Sequence, residues 1–166
     1  HVVDIFKDFQ VHSTDYILGY IDGTINKWNL SKTNAEAYKS FRDYYNKTKD
    51  PLDLYVLMCF SFNYQFRFNS NQEYNNPFGK DRSSFNDTMR GNLIKTLDRL
   101  SDIQFSSSEF QDFDFSILNK GDFLYADPPY LITCGSYNDG KRGFTGWSDK
   151  EETELYRILT DMDKHG

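Results

Sequence analysis

An α/β fold is predicted, mainly helical over the first hundred residues and closing on part of a sheet. Helical patterns with capping signals fill residues 1–100. Two short apolar runs rich in β-formers, Ile103-Gln104-Phe105 and Phe123-Leu124-Tyr125-Ala126, come only after them, and a further capped helix follows. Helices first, then strand, strand and helix, is the order of a partial α/β layer that carries a polar-aromatic insertion. At 166 residues the chain has room for one domain of ordinary size.

Short apolar-periodic stretches at 3–9 and 16–21 predict two short helices. Thr33-Asn34-Ala35-Glu36 has the form of a capping box, a hydroxyl followed three residues on by a carboxylate, and opens a helix to about residue 46. Asp50-Pro51 starts the next, because proline at the first helical position gives up an N–H that has no partner there. That helix, 52–62, is apolar on most faces and is predicted to be buried. From 63 to 80 the pattern breaks. Asparagines, glutamines and Arg67 alternate loosely with Tyr64, Phe66, Phe68 and Tyr74, and Pro77-Phe78-Gly79 ends the stretch, which suits an exposed loop or ribbon. A helix over about 86–100 places Leu93, Leu97 and Leu100 on one face. The two apolar runs are read as buried strands, and Ser148-Asp149-Lys150-Glu151 is a second capping box that opens the last helix.

Composition narrows the function. Fifteen Phe, twelve Tyr and two Trp give enough apolar surface for a core and argue against a disordered chain. The net charge of −6 disfavours a protein that coats nucleic acid through its overall charge. The longest apolar run, 54–60, is far shorter than the roughly 18 residues of a membrane span, and no signal-peptide pattern opens the chain. Two cysteines without partner spacing and three scattered histidines exclude disulfide scaffolds and Cys/His zinc sites, so no metal site is expected. The chain reads as a soluble cytoplasmic domain.

Asp127-Pro128-Pro129-Tyr130 follows directly on the predicted strand 123–126, at the carboxyl end where open α/β sheets place their active sites. Two prolines fix the backbone. A carboxylate, a constrained carbonyl and an aromatic face are thus held together. A ring-conjugated exocyclic amine is a poor nucleophile because its lone pair is delocalised. A carboxylate and a carbonyl that each accept one of its N–H bonds hold the nitrogen nearer to tetrahedral, while the ring stacks on the tyrosine. A nucleobase treated this way first leaves the duplex.

With this motif and the 62–80 segment, the chain resembles the Dam-type family of DNA adenine-N6 methyltransferases. That family carries DPPY as its catalytic motif. Phe62-Asn63, Arg67-Phe68-Asn69 and Asn76-Pro77-Phe78-Gly79-Lys80 resemble its recognition hairpin. The resemblance runs from about residue 31 to 166. It implies a Rossmann-like methyltransferase sheet with a mainly helical target-recognition insertion: residues 1–100 for recognition, with the hairpin at about 61–80, and 101–166 as a partial catalytic region. It implies that Asp127 and the Pro128 carbonyl accept the two N6 hydrogens and that Tyr130 stacks on the flipped adenine. Arg67 and Asn69 then lie at double-stranded DNA, with Asn63, Pro77 and Lys80 in the same element. Glu109 and Phe110, with Asp127, meet the cofactor S-adenosylmethionine. The family's N-terminal F-x-G-x-G loop and its ribose-binding Asn-Asp pair are absent, and so are its final strands. A fragment of a longer enzyme with an incomplete cofactor site is therefore expected, inactive as an isolated chain.

Residues 61–99 hold six Lys and Arg against four acids, a net of +2, and the rest of the chain carries −8. Local positive charge interleaved with Asn, Gln and aromatics suits phosphate contact plus base-edge reading, arginine favouring guanine and asparagine adenine. A short site such as the family's usual GATC is expected. Glu109, Asp112 and Asp114 read as a solvated edge, and the glycine-rich loop 132–146 with Cys134 lacks the Lys-Ser/Thr ending of a P-loop. Two further functions stay open: a non-catalytic DNA-binding module, and the same chemistry on RNA or a protein amide.

Overall fold

The computed structural model describes residues 1–129 and 147–165. Tyr130 and the loop 132–146 lie outside them. Two compact units divide at His1–Ser106 and Ser107–Gly166.

The first unit is helical. α1 (Val2–Val11) and α2 (Thr14–Trp28) are longer than the two apolar stretches suggest. Ser13 caps α2 by accepting the Tyr16 N–H, and the buried stripe runs on from Ile17 and Ile21 to Thr24. Gly19 and Gly23 sit where a side chain would meet open space, so they do not interrupt it. α2 ends at Asn29, whose left-handed φ of 52° lets its N–H reach the Asn26 and Ile25 carbonyls.

α3 (Ala35–Thr48) begins one residue later than the capping-box reading, because Asn34 rather than Thr33 accepts the Ala37 N–H. α4 (Pro51–Phe60) starts at Asp50, which accepts from Leu52 and Asp53 N–H at 2.9 and 3.1 Å. Leu52, Leu54, Val56, Leu57, Cys59 and Phe60 are all buried, so α4 is the centre of the unit, packed by α1, α2 and α3. It stops at Phe60 rather than 62, as Ser61 turns extended and bridges Phe78. α5 (Asp87–Leu97), capped by Asn86, lies on α2 and joins it through an Arg90–Asp22 ion pair.

The predicted Rossmann-like sheet is not seen among the described residues. Among the described residues only isolated antiparallel bridges occur, Ser61 with Phe78 and Phe68 with Tyr74. Residues 103–105 cover α1 instead of pairing in a sheet: Gln10 on α1 donates to the Ile103 and Leu100 carbonyls, and Phe105 stacks on Phe6 at 4.8 Å. Residues 123–126 have no ladder either, and Phe123 and Tyr125 are 86% and 76% exposed. A strand buried in a parallel sheet needs partners on both edges and cover on both faces, and this run has neither among the described residues.

The second unit carries one-turn 3-10 helices at Phe110–Asp112 and Phe115–Ile117, and α6 (Asp149–His165). The capping box forms: Ser148 accepts the Lys150 N–H, and Glu151 accepts the Ser148 N–H at 3.0 Å. No described helix is long and apolar enough to cross a membrane.

Candidate nucleic-acid interface and catalytic motif

The stretch 61–80 leaves the end of α4 and returns to it. Phe62 N–H donates to the Pro77 carbonyl at 2.7 Å and Gly79 N–H to the Phe60 carbonyl at 2.9 Å, closing the base of a hairpin. Farther out, Asn75 N–H donates to the Arg67 carbonyl and Asn69 N–H to the Glu73 carbonyl. The tip is shaped by Asn69. Its side-chain oxygen accepts the Asn71 and Glu73 N–H groups, and its amide donates to the Glu73 carboxylate at 2.7 Å.

Helix α3 is the pedestal. Asn46 holds Tyr74 at both ends of its peptide, accepting its N–H at 2.7 Å and donating to its carbonyl at 3.0 Å. Lys49 donates to the Gln72 carbonyl, and the Tyr38 hydroxyl to the Asn76 carbonyl, both at 2.9 Å. Tyr74 and Asn76 point into the core and are each 1% exposed. Burial pushes the Tyr74 phenol up to about 12, against the hydrogen bonds around it, so it stays a donor. None of these anchors is singled out by composition or spacing. An asparagine on a helix and a tyrosine in a polar ribbon look alike whether they are solvated or structural.

The hairpin therefore separates its polar residues into two groups. Asn63, Arg67, Pro77 and Lys80 are exposed, and the side chains of Asn63, Arg67 and Lys80 have no hydrogen-bond or ion-pair partner among the described residues. Asn69, in contrast, spends its amide on the turn. Asn63 and Tyr64 both adopt a left-handed φ of 54°, which lifts them off the helix end with Phe62 and Tyr64 partly exposed. Such an arrangement offers a guanidinium, an amide and an ammonium on a rigid base, with aromatic faces beside them.

The tetrapeptide Asp127-Pro128-Pro129-Tyr130 is described as far as Pro129. Asp127 is exposed, and Pro128 and Pro129 are half-buried. Glu109 is exposed at the start of the 110–112 turn, and Phe110 packs against Trp147 at 5.6 Å. The second unit has a cavity of about 740 Å³ between the 115–124 segment and α6, lined among others by Phe115, Leu118, Leu124, Ile158 and Met162. Glu109, Phe110 and Asp127 are not in its lining. Gly121, the described glycine with positive φ, has open space where a side chain would stand, so it is no close-approach cradle. Of the S-adenosylmethionine contacts that the family resemblance implies, Glu109, Phe110 and Asp127 lie within the described residues. Among them no His, Cys, Asp and Glu cluster could hold a metal ion.

The first unit thus carries a braced polar hairpin, and the second carries Asp127-Pro128-Pro129. Residues 3–166 match the family described as D12 class N6 adenine-specific DNA methyltransferase, and the chain belongs to it. It is 49% identical to the type II methyltransferase M.FokI of Planomicrobium okeanokoites over 100% of its own length and 26% of that protein's. It is 48% identical to the modification methylase StsI of Streptococcus sanguinis, over 98% of this chain and 25% of that one. The DNA adenine methylase of Escherichia coli (strain K12) is 27% identical over 66% of this chain and 40% of that enzyme. The chain thus spans about a quarter of the length of the first two relatives.

Proposed function

We propose that this chain is the target-recognition and catalytic-motif part of an enzyme that methylates adenine N6 in duplex DNA. The methyl donor proposed on family membership is S-adenosylmethionine. The target is a flipped adenine in a short site containing guanine and adenine, GATC being the family's usual choice. The observation that supports this best is the hairpin, where Asn63, Arg67 and Lys80, without a side-chain partner among the described residues, stand on a base fixed by buried side chains. Arg67 suits the paired acceptors of a guanine edge, Asn63 the donor and acceptor of adenine, and Lys80 a phosphate. Asn69 keeps the turn in shape, and Pro77 lines its base. Asp127 and the Pro128 carbonyl accept the two N6 hydrogens and direct the nitrogen lone pair, with Tyr130 stacked on the ring.

The test uses a polypeptide that carries these residues and methylates DNA. Asp127→Ala abolishes methyl transfer and leaves duplex binding nearly unchanged, because a contact made in the transition state is lost from kcat rather than from affinity. Arg67→Ala costs about 1–3 kcal/mol of discrimination at one base pair. Turnover retained by Asp127→Ala defeats the catalytic assignment. An equal loss on every sequence makes Arg67 a phosphate contact instead.

A further inference from the structure

The backbone carbonyl of Gln65 is held with unusual redundancy. It accepts from the Tyr74 hydroxyl and from the Asn76 side-chain amide, both at 2.9 Å. The Asn76 amide also donates to the Phe62 carbonyl at 3.0 Å. Both of its N–H bonds are thus used, one on each end of the 62–65 turn. Between those ends stand Asn63 and Tyr64, in the left-handed conformation that non-glycine residues adopt only when their surroundings enforce it. Both donors are buried, Tyr74 and Asn76 alike. Asn76 is itself fixed from α3, by the Tyr38 hydroxyl on its carbonyl. Buried polar groups are costly unless fully satisfied, and a satisfied network of this kind specifies one geometry.

What that geometry aims is a pair of side chains unengaged among the described residues, Asn63 inside the turn and Arg67 two residues beyond it. Base-edge recognition depends on placement within fractions of an ångström, whereas phosphate attraction tolerates a loose chain. We propose that Asn76 is a positioning residue for sequence recognition: its buried amide, with the Tyr74 hydroxyl, fixes the 62–65 turn so that Asn63 and Arg67 meet base edges in register. This rests on the reading of the hairpin as the DNA-recognition element. It assigns sequence discrimination to two side chains that touch no DNA.

The experiment uses the 166-residue chain and DNA binding. A duplex pool randomised over a short central window identifies the site that the chain prefers. Dissociation constants are then measured for that site, for a single-base-pair mismatch and for random duplex, alongside the melting temperature. Asn76→Val and Tyr74→Phe are the probes; the second keeps the ring and removes only the hydroxyl. Leu93→Ala, a core truncation on α5, is the control for simple loss of stability. The expected result is that Asn76→Val lowers the preference for the site about tenfold and Tyr74→Phe by a smaller factor, while random-duplex affinity stays within about twofold. Leu93→Ala lowers the melting temperature and keeps the preference. If Asn76→Val does not fold, Tyr74→Phe decides alone. Unchanged preference in the folded variants overturns the positioning role and leaves the recognition reading standing, as does an equal loss of preference in Leu93→Ala. A wild-type chain that enriches no site overturns both.

Discussion

Asp53 is the one buried carboxylate among the described residues, and it shares the Tyr20 hydroxyl with Asp50, at 3.0 Å against 3.3 Å. Burial pushes its carboxyl up to about 6, the Tyr20 hydrogen bond and Lys27 pulling the other way and Asp50 adding to the rise. The folded chain therefore holds that proton more tightly than the unfolded one, whose aspartates titrate near 4. The stability this group contributes is complete below about pH 4 and is lost as the pH rises through about 6. Asp53→Asn keeps an acceptor for Tyr20 and removes the charge. Thermal unfolding followed across this range should show a flatter pH dependence in the variant, and a gain near neutral pH of at most about 3 kcal/mol. A variant less stable than its parent at neutral pH contradicts this account. Single residues of the candidate site were legible to different degrees. Arg67 and Asp127 announce themselves by type and motif. Asn69 does not reveal that its amide is committed to Glu73, because that bond exists only once the turn closes.

Among elements, the hairpin depends on a glycine for space rather than for backbone freedom. A Cβ on Gly79 would stand 2.1 Å from the Ser83 hydroxyl and 2.7 Å from the Ser61 carbonyl oxygen. Ser61 and Ser83 are both buried, and Gly79 N–H ties the returning arm to Phe60. Gly79→Ala should force the arm away from α4 and destabilise the first unit by about 1–3 kcal/mol, read as a fall in the denaturation midpoint with the slope unchanged. A midpoint equal to the parent's shows that the arm can shift without cost. Helices were the legible elements, since caps are local: Asp50-Pro51 and Ser148 to Glu151 act within four residues of themselves. The hairpin was legible as a polar ribbon. Its attachment to α3 was not, because Asn46 and Tyr74 are 28 residues apart and neither is distinctive by type.

At the scale of the molecule, the α/β expectation failed where pairing is non-local. Apolar β-formers at 103–105 and 123–126 satisfy a strand pattern, yet a strand exists only with a partner. The first run lies on α1, and the second finds no ladder among the described residues. Glu109 and Asp127, read in sequence as parts of one site, are both exposed, and neither lines the cavity between the 115–124 segment and α6. The first unit is built the other way, around the apolar helix α4 with Cys59 inside it, fully buried. Burial pushes the Cys59 thiol up, far from the thiolate form that alkylating reagents require. Its chemistry is therefore silent while α4 is enclosed and starts when the helices part. Cys59 is a built-in clock for that opening: the rate at which its own peptide takes up iodoacetamide counts how often the centre of the unit comes apart.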